Sequence, residues 1–188
     1  MLYLASGSPR RAELLRQVGL DFRVLPSRTK EKRRPGEIPA AYVRRLSRDK
    51  AAEVAGRLQA RGLRSGWVLG ADTVVVLGSK VLEKPASPAA ARAMLASLSG
   101  RRHQVMTGVS LLPLGPGQPR AFVEKTSVVF RRLSASSIAA YVATGEPMDK
   151  AGAYGIQGGA AAFVRRIEGC YFNVVGLPLA HLMQVLTD

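Results

Sequence analysis

Residues Trp67 to Leu77 read WVLGADTVVVL, the strongest strand signal in the chain. The run is apolar on both faces, as a strand inside a helix-flanked sheet must be. Its one charged residue is Asp72, preceded by Gly70 and Ala71 and followed by Thr73. A carboxylate in an apolar strand is costly to bury unless it is paired, hydrogen-bonded or bound to a metal. Gly70 and Ala71 are expected to leave room for a ligand to approach it. Asp72 is therefore read as a site residue, with a structural hydrogen-bonder as the bland alternative. Gly78-Ser79 marks a hairpin turn and Lys80 to Leu82 the returning strand. Glu83-Lys84-Pro85 follows at once and puts Lys84 near the rim of the same sheet.

Upstream, Met1 to Arg11 (MLYLASGSPRR) has the form of an anion site. Met1 to Ala5 suits a short buried strand. Ser6-Gly7-Ser8 permits a tight turn, Ser8 stands at an N-cap position, and Pro9 opens a helix with Arg10 and Arg11 in its first turn. A strand that feeds a helix N-terminus aims unpaired N–H groups and partial positive charge at one point, which favours phosphate. An ordinary turn with two solvated arginines stays open on this stretch alone. Neither GxxxxGK[ST] nor GxGxxG occurs in the chain.

Between these stretches, the first helix is expected to close at Gly19, with a short strand over Asp21 to Leu25 and a charged loop over Pro26 to Gly36. Pro39 opens a long helix to about Arg61, striped by Tyr42, Val43, Leu46, Val54 and Leu58. Lys50 lies within it, where a solvated lysine is the default. Downstream, Ser87-Pro88 starts a helix to about Leu98. Arg101 to Leu112 alternates, with Val105, Thr107, Val109 and Leu111 on one face, and pairs as a hairpin with a strand over Arg120 to Arg132. Ser134 caps a helix to about Ala143. Gly145 to Gly159 (GEPMDKAGAYGIQGG) shows no periodicity and suits a loop around a ligand, with Gln157 offering donor and acceptor to a base edge. Phe163 to Ile167 is a final strand, and Leu177-Pro178 begins a last helix. His103 is read as structural, and His181 shows no partner pattern. The elements imply an α/β fold with a mixed central sheet, as two lobes around a cleft.

At 188 residues and 47% hydrophobic content the chain suits a single globular domain. It has no run of eighteen apolar residues and no signal-peptide pattern at its start, and Cys170 is its lone cysteine, which together lead to the expectation of a cytoplasmic protein away from membranes. A net charge of +15 invites a nucleic-acid-binding reading. Against it, basic residues run along the whole chain with one dense patch at Arg28 to Arg34, and aromatics are only 6%, few for base-stacking platforms. The site candidates are a phosphate-suited turn, basic Lys50 and Lys84, a buried Asp72 and a Gln-bearing loop. Cations for a polyphosphate and a carboxylate for water or Mg²⁺ describe hydrolysis of a small anionic substrate by water.

LASGSPRR, GADTVV, Lys84-Pro85, SGRRHQVMTG, DKAGAYGIQG and IEGCYFNVVGLPL together resemble the Maf family of nucleoside triphosphate pyrophosphatases over nearly the whole chain. The resemblance implies hydrolysis of a nucleoside triphosphate to monophosphate and pyrophosphate with a divalent cation, Mg²⁺ or Mn²⁺. It also implies a cleft fold related to inosine triphosphate pyrophosphatases, a homodimer, and a link to arrest of cell division. DKAGAYGIQG resembles the branch acting on dTTP and UTP. By the same resemblance Asp72 matches the proton acceptor, and Arg10, Thr73 and Gln157 match specificity positions. Ser6, Arg11, Lys50 and Lys84 match the phosphate-binding set. The family's acidic pattern after the second strand is replaced by Arg28-Thr29-Lys30-Glu31-Lys32-Arg33-Arg34, so Glu31 alone survives there. If that acid is a metal ligand beside Asp72, the metal is held more weakly here, or Asp72 carries most of the coordination.

Overall fold

The structure is a computed structural model that describes residues 1–187. Its chain runs β1 (Leu2–Leu4), α1 (Pro9–Gln17), β2 (Phe22–Val24), α2 (Pro39–Ala60), β3 (Trp67–Leu77), β4 (Lys80–Leu82), α3 (Pro88–Leu98) and β5 (Arg102–Pro113). There follow β6 (Arg120–Phe130), α4 (Ala135–Ala143), β7 (Val164–Glu168), α5 (Tyr171–Val175) and α6 (Leu179–Thr187). The strands form one seven-stranded mixed sheet in the order β2-β1-β3-β5-β6-β7, with β4 on β3. β1 is parallel to β2 and β3, whereas β4 on β3 and β7 on β6 are antiparallel. The α/β class and the mixed sheet expected from sequence are therefore present, and β3 lies inside the sheet, as its two apolar faces require.

The chain divides into two compact units, one of Met1–Asp72, Thr107–Glu124 and the segment from Gly176 on, the other of Thr73–Met106 and Lys125–Val175. In the first unit, Tyr3 and Val68 of the sheet, with Ala5 just after β1, pack with Ala51, Val54, Ala55 and Leu58 of α2. These four helical positions recur at intervals of three and four, which is what turns one face of α2 to the sheet. In the second, Val75, Leu82, Val105, Val128 and Phe130 pack with Leu95 and Leu98 of α3 and with Ile138, Tyr141 and Val142 of α4.

Local chemistry explains most boundaries. Pro39 and Pro88 stand at the first positions of α2 and α3, and the Ser87 and Ser134 hydroxyls accept from the N–H groups of Ala90 and Ser137 to cap α3 and α4. Two expectations change. β5 alternates only at its start; from Val105 to Leu111 every residue is buried, because this half of the strand is covered on both faces. The Gly145 to Gly159 stretch is not without structure but carries short 3₁₀ turns at Glu146–Asp149 and Ala151–Ala153, and a third begins at its end (Gly159–Phe163).

Candidate active site

The site in the first unit begins with two glycines. A Cβ on Gly70 of β3 would lie 2.0 Å from the Ser47 carbonyl oxygen, and one on Gly108 of β5 would lie 2.2 Å from that of Val43. Both carbonyls belong to α2, so only glycine lets this helix backbone come so close to the sheet. Ser47 and Lys50 are one turn apart on the helix, and Gly70 and Asp72 share one face of the strand. The close approach therefore carries Lys50 to Asp72, and the Lys50 Nζ donates to Asp72 Oδ1 at 2.7 Å. This corrects the reading of Gly70 and Ala71 as space for a ligand: the helix backbone fills the space at Gly70, and Ala71 is wholly buried.

Lys50 Nζ also lies 2.6 Å from Glu31 Oε1. One ammonium thus joins two carboxylates, and at 7% exposure it is not the solvated lysine that a helix position suggests. Asp72 is 6% exposed, while the Glu31 side chain retains 47%. Burial pushes the Asp72 carboxyl above the usual carboxylate range, and the charges of Lys50 and Arg11 together with the Lys50 hydrogen bond pull it back only in part.

Arg11 is buried rather than solvated. Its Nη1 donates to Ser6 Oγ at 3.0 Å and its Nε to the Gly176 carbonyl at 2.9 Å. Ser6 Oγ also accepts from the Ser8 N–H at 3.2 Å, so the turn before α1 is organised by Ser6, and the Ser8 side chain makes no cap bond. Burial lowers the Arg11 pKa, with the charges of Asp72 and Glu31 opposing the shift and that of Arg10 adding to it. The guanidinium therefore sits within electrostatic reach of both carboxylates. Gly176 was not read from the sequence. Its φ of +126° lies in the region that glycine adopts readily, and Gly176-Leu177-Pro178 was the available signal.

Loop residues 26–37 are tied to α2 by charge. Glu37 takes Arg45 Nε at 2.7 Å and Arg45 Nη2 at 2.8 Å, and Arg45 Nη2 also donates to the Lys32 carbonyl at 3.0 Å. Arg33 Nε donates to the Glu37 carbonyl at 2.8 Å, and Glu53 accepts from the Arg28 N–H at 3.2 Å. These tethers hold the loop on the helix that bears Lys50, and they fix where Glu31 arrives. Arg45 holds the Glu37 carboxyl down at about 2.

In the second unit, Thr73 follows Asp72 in β3 and is half-buried, whereas Lys84 and Gln157 are exposed. The Glu83 carbonyl accepts from the Gly152 N–H at 3.2 Å, which links the Lys84 segment to the loop of Gln157. Of the residues expected from sequence, contacts thus gather Ser6, Arg11, Glu31, Lys50 and Asp72 in the first unit, with Arg10 beside Arg11. Thr73, Lys84 and Gln157 belong to the second. His103 is structural as expected: it is buried, and its Nε2 meets the Tyr154 hydroxyl at 2.8 Å. His181 does have a partner, since its Nδ1 lies 3.0 Å from Glu124 Oε2 and its ring stacks on Phe122.

Among the described residues, no group of three or more His, Cys, Asp or Glu side chains is placed to hold a metal ion. The donor set is instead Asp72 and Glu31, which converge on one cationic group. Mg²⁺ and similar hard cations are held by one or two carboxylates plus substrate phosphates, so this pair fits such an ion. It lacks the nitrogen and sulfur donors that mark a zinc centre. No helix among the described residues is long and apolar enough to cross a membrane.

The chain is similar over nearly its whole length to proteins already named. A protein of Moorella thermoacetica named dTTP/UTP pyrophosphatase is 53% identical over 185 residues, which cover 98% of this chain and 93% of that one. A Vibrio cholerae protein of the same name is 52% identical over 185 residues, 98% of this chain and 96% of its own. A third so named, from Photorhabdus laumondii, is 50% identical over 186 residues, 99% and 92% of the two chains. The family model described as Maf-like protein matches residues 1–188, and with these relatives it shows that the chain belongs to the Maf family.

Proposed function

We propose that this protein hydrolyses dTTP and UTP to the nucleoside monophosphate and pyrophosphate, with the Asp72 carboxylate accepting the proton of the attacking water. The observation that carries the reading is the buried Asp72–Lys50 pair, 2.7 Å apart, whose carboxyl is pushed up by burial. A carboxylate with raised proton affinity is a better general base near neutral pH than an ordinary aspartate. The names of relatives at about half identity over nearly the full chain supply the substrates.

In the proposed reaction, water adds to the α-phosphorus, its proton passes to Asp72, and pyrophosphate leaves with the bond electrons. Lys50, held between Asp72 and Glu31, orients the carboxylate and offers positive charge to the phosphates. Ser6, Arg11 and Lys84 are proposed to bind the triphosphate, and Arg10, Thr73 and Gln157 to select the nucleotide. Asp72 and Glu31 would hold Mg²⁺ or Mn²⁺, which when bound neutralises phosphate charge. The homodimer and the cytoplasmic location that the resemblance and composition imply are part of the same proposal; light scattering tests the first and cell fractionation the second.

The test is product analysis with dTTP, UTP, CTP, GTP and ATP in Mg²⁺. Monophosphate and pyrophosphate from dTTP and UTP in preference to the others support the reading. Diphosphate and phosphate as products, or no turnover of any of the five, would sink it.

A further inference from the structure

The turn that bears Gln157 is tied down on both sides. Two residues before it, the Gly155 N–H donates to the Tyr141 hydroxyl at 3.1 Å. Two residues after it, the Gly159 N–H donates to Glu146 Oε2 at 3.0 Å. The two acceptors are themselves joined, because the Tyr141 hydroxyl donates to Glu146 Oε1 at 2.9 Å. A single phenol–carboxylate pair therefore receives both flanking N–H groups. The approach is close enough to need glycine, for a Cβ on Gly158 would lie 2.1 Å from Glu146 Oε1.

The pair is itself anchored. Tyr141 is buried on α4, with its ring edge-on to Phe163 at 5.2 Å between centroids. Glu146 stands just past the end of α4, after Thr144 and Gly145: its N–H donates to Thr144 Oγ1 at 3.1 Å, and its carbonyl accepts from Lys150 Nζ at 2.6 Å. Lys150 Nζ also pairs with Asp149 at 2.7 Å. Burial keeps the Tyr141 hydroxyl protonated well above its usual range, so it remains a donor to Glu146. The Gln157 side chain takes part in none of these bonds and lies exposed. Such an arrangement fixes the backbone of a turn while leaving the amide at its tip to face a ligand.

We infer that Glu146 and Tyr141 are positioning residues for Gln157, and that they set pyrimidine selectivity without touching the nucleotide. The inference rests on the proposed role of Gln157 in reading the base. It assigns to Glu146 a function that its place in a charged, glycine-rich loop does not announce.

The experiment compares wild type with Tyr141→Phe, Glu146→Gln, Glu146→Ala, Gln157→Ala and the double variant Tyr141→Phe/Gln157→Ala. For each, kcat and KM are measured for dTTP and CTP, and the melting temperature is recorded. Tyr141→Phe keeps the buried ring and removes only the hydroxyl, so it guards against a fold failure in the Glu146 variants. The expected result is a rise of about five- to tenfold in KM for dTTP with kcat nearly kept, and a matching fall in preference for dTTP over CTP. Glu146→Gln, which keeps one acceptor, is expected to fall between wild type and Glu146→Ala. In the double variant the loss equals that of Gln157→Ala alone, since positioning is of no use without the amide it positions. If Gln157→Ala loses selectivity while Tyr141→Phe and both Glu146 variants keep it, or if the two losses add, the positioning role is overturned and base reading by Gln157 stands. If Gln157→Ala itself keeps wild-type selectivity, base reading fails and the inference falls with it.

Discussion

Asp72 stands out in the sequence and Lys50 does not, yet the chemistry of both comes from being buried together. Asp72 must be ionised to accept a proton, and burial raises its pKa. The rate is therefore expected to fall on the acid side as pH drops through that raised value, and the acid limb of kcat/KM should lie above the ordinary aspartate range. Lys50 opposes the shift, so Lys50→Met should move this limb to still higher pH while raising KM for the triphosphate. A pH–rate profile for the variant checks this, and an acid limb that stays put or moves to lower pH would show that Asp72 is not the titrating base. Part of the pair was legible beforehand. A lone carboxylate in WVLGADTVVVL announces itself, because nothing else in that strand is charged. Lys50 does not, since its partner lies 22 residues away and a helix lysine carries no local sign of burial. His181 was missed for the same reason, with Glu124 57 positions off.

Among the elements, α2 and β3 matter most, and both were readable: the apolar stripe and Pro39 gave the helix, and the doubly apolar run gave the strand between its observed ends. Their distance apart was not readable. Gly70 in a strand signals a close approach by something, and sequence alone does not say whether that is a ligand or another backbone. The structure answers with the Ser47 carbonyl. Gly70→Ala is accordingly expected to push α2 from the sheet and to break the Lys50–Asp72 bond. Overpacking against backbone that cannot swing aside costs about 3 kcal/mol, or a fall of about 6–12 °C in Tm for a chain of this size. Calorimetry measures the first effect, and turnover of the surviving folded protein the second; a Tm within a degree of wild type would contradict the packing described. The 3₁₀ turns after α4 escaped reading because each is closed by local backbone bonds, such as Met148 N–H to the Gly145 carbonyl and Ala153 N–H to that of Lys150, and is too short to carry apolar periodicity. Five-residue α5 is too short to show a period at all.

At the scale of the whole molecule, stability and catalysis draw on different buried groups. His103 sits between Phe130 and Tyr154 in the core of the second unit, and burial lowers its pKa from 6.5 to about 4. Its folded pKa lies below its unfolded one, so its contribution is present above pH 6.5 and is lost as pH falls toward about 4. The shift corresponds to about 3 kcal/mol at most. Asp72 acts in the opposite sense, because a raised folded pKa favours the fold as pH drops. His103→Gln keeps a partner for the Tyr154 hydroxyl and removes the titration, so its melting temperature should fall less than that of wild type between pH 7 and pH 4. An identical fall in both proteins would show that the acid sensitivity lies elsewhere.

The most direct test of the account is pyrophosphate release from dTTP by wild type and Asp72→Asn, with circular dichroism and dTTP binding measured on the same samples. Loss of a positioned general base predicts a fall in kcat of about 10²- to 10⁴-fold with fold and binding retained. A folded Asp72→Asn protein that releases pyrophosphate within a few-fold of the wild-type rate would contradict it, and another group would then have to activate the water.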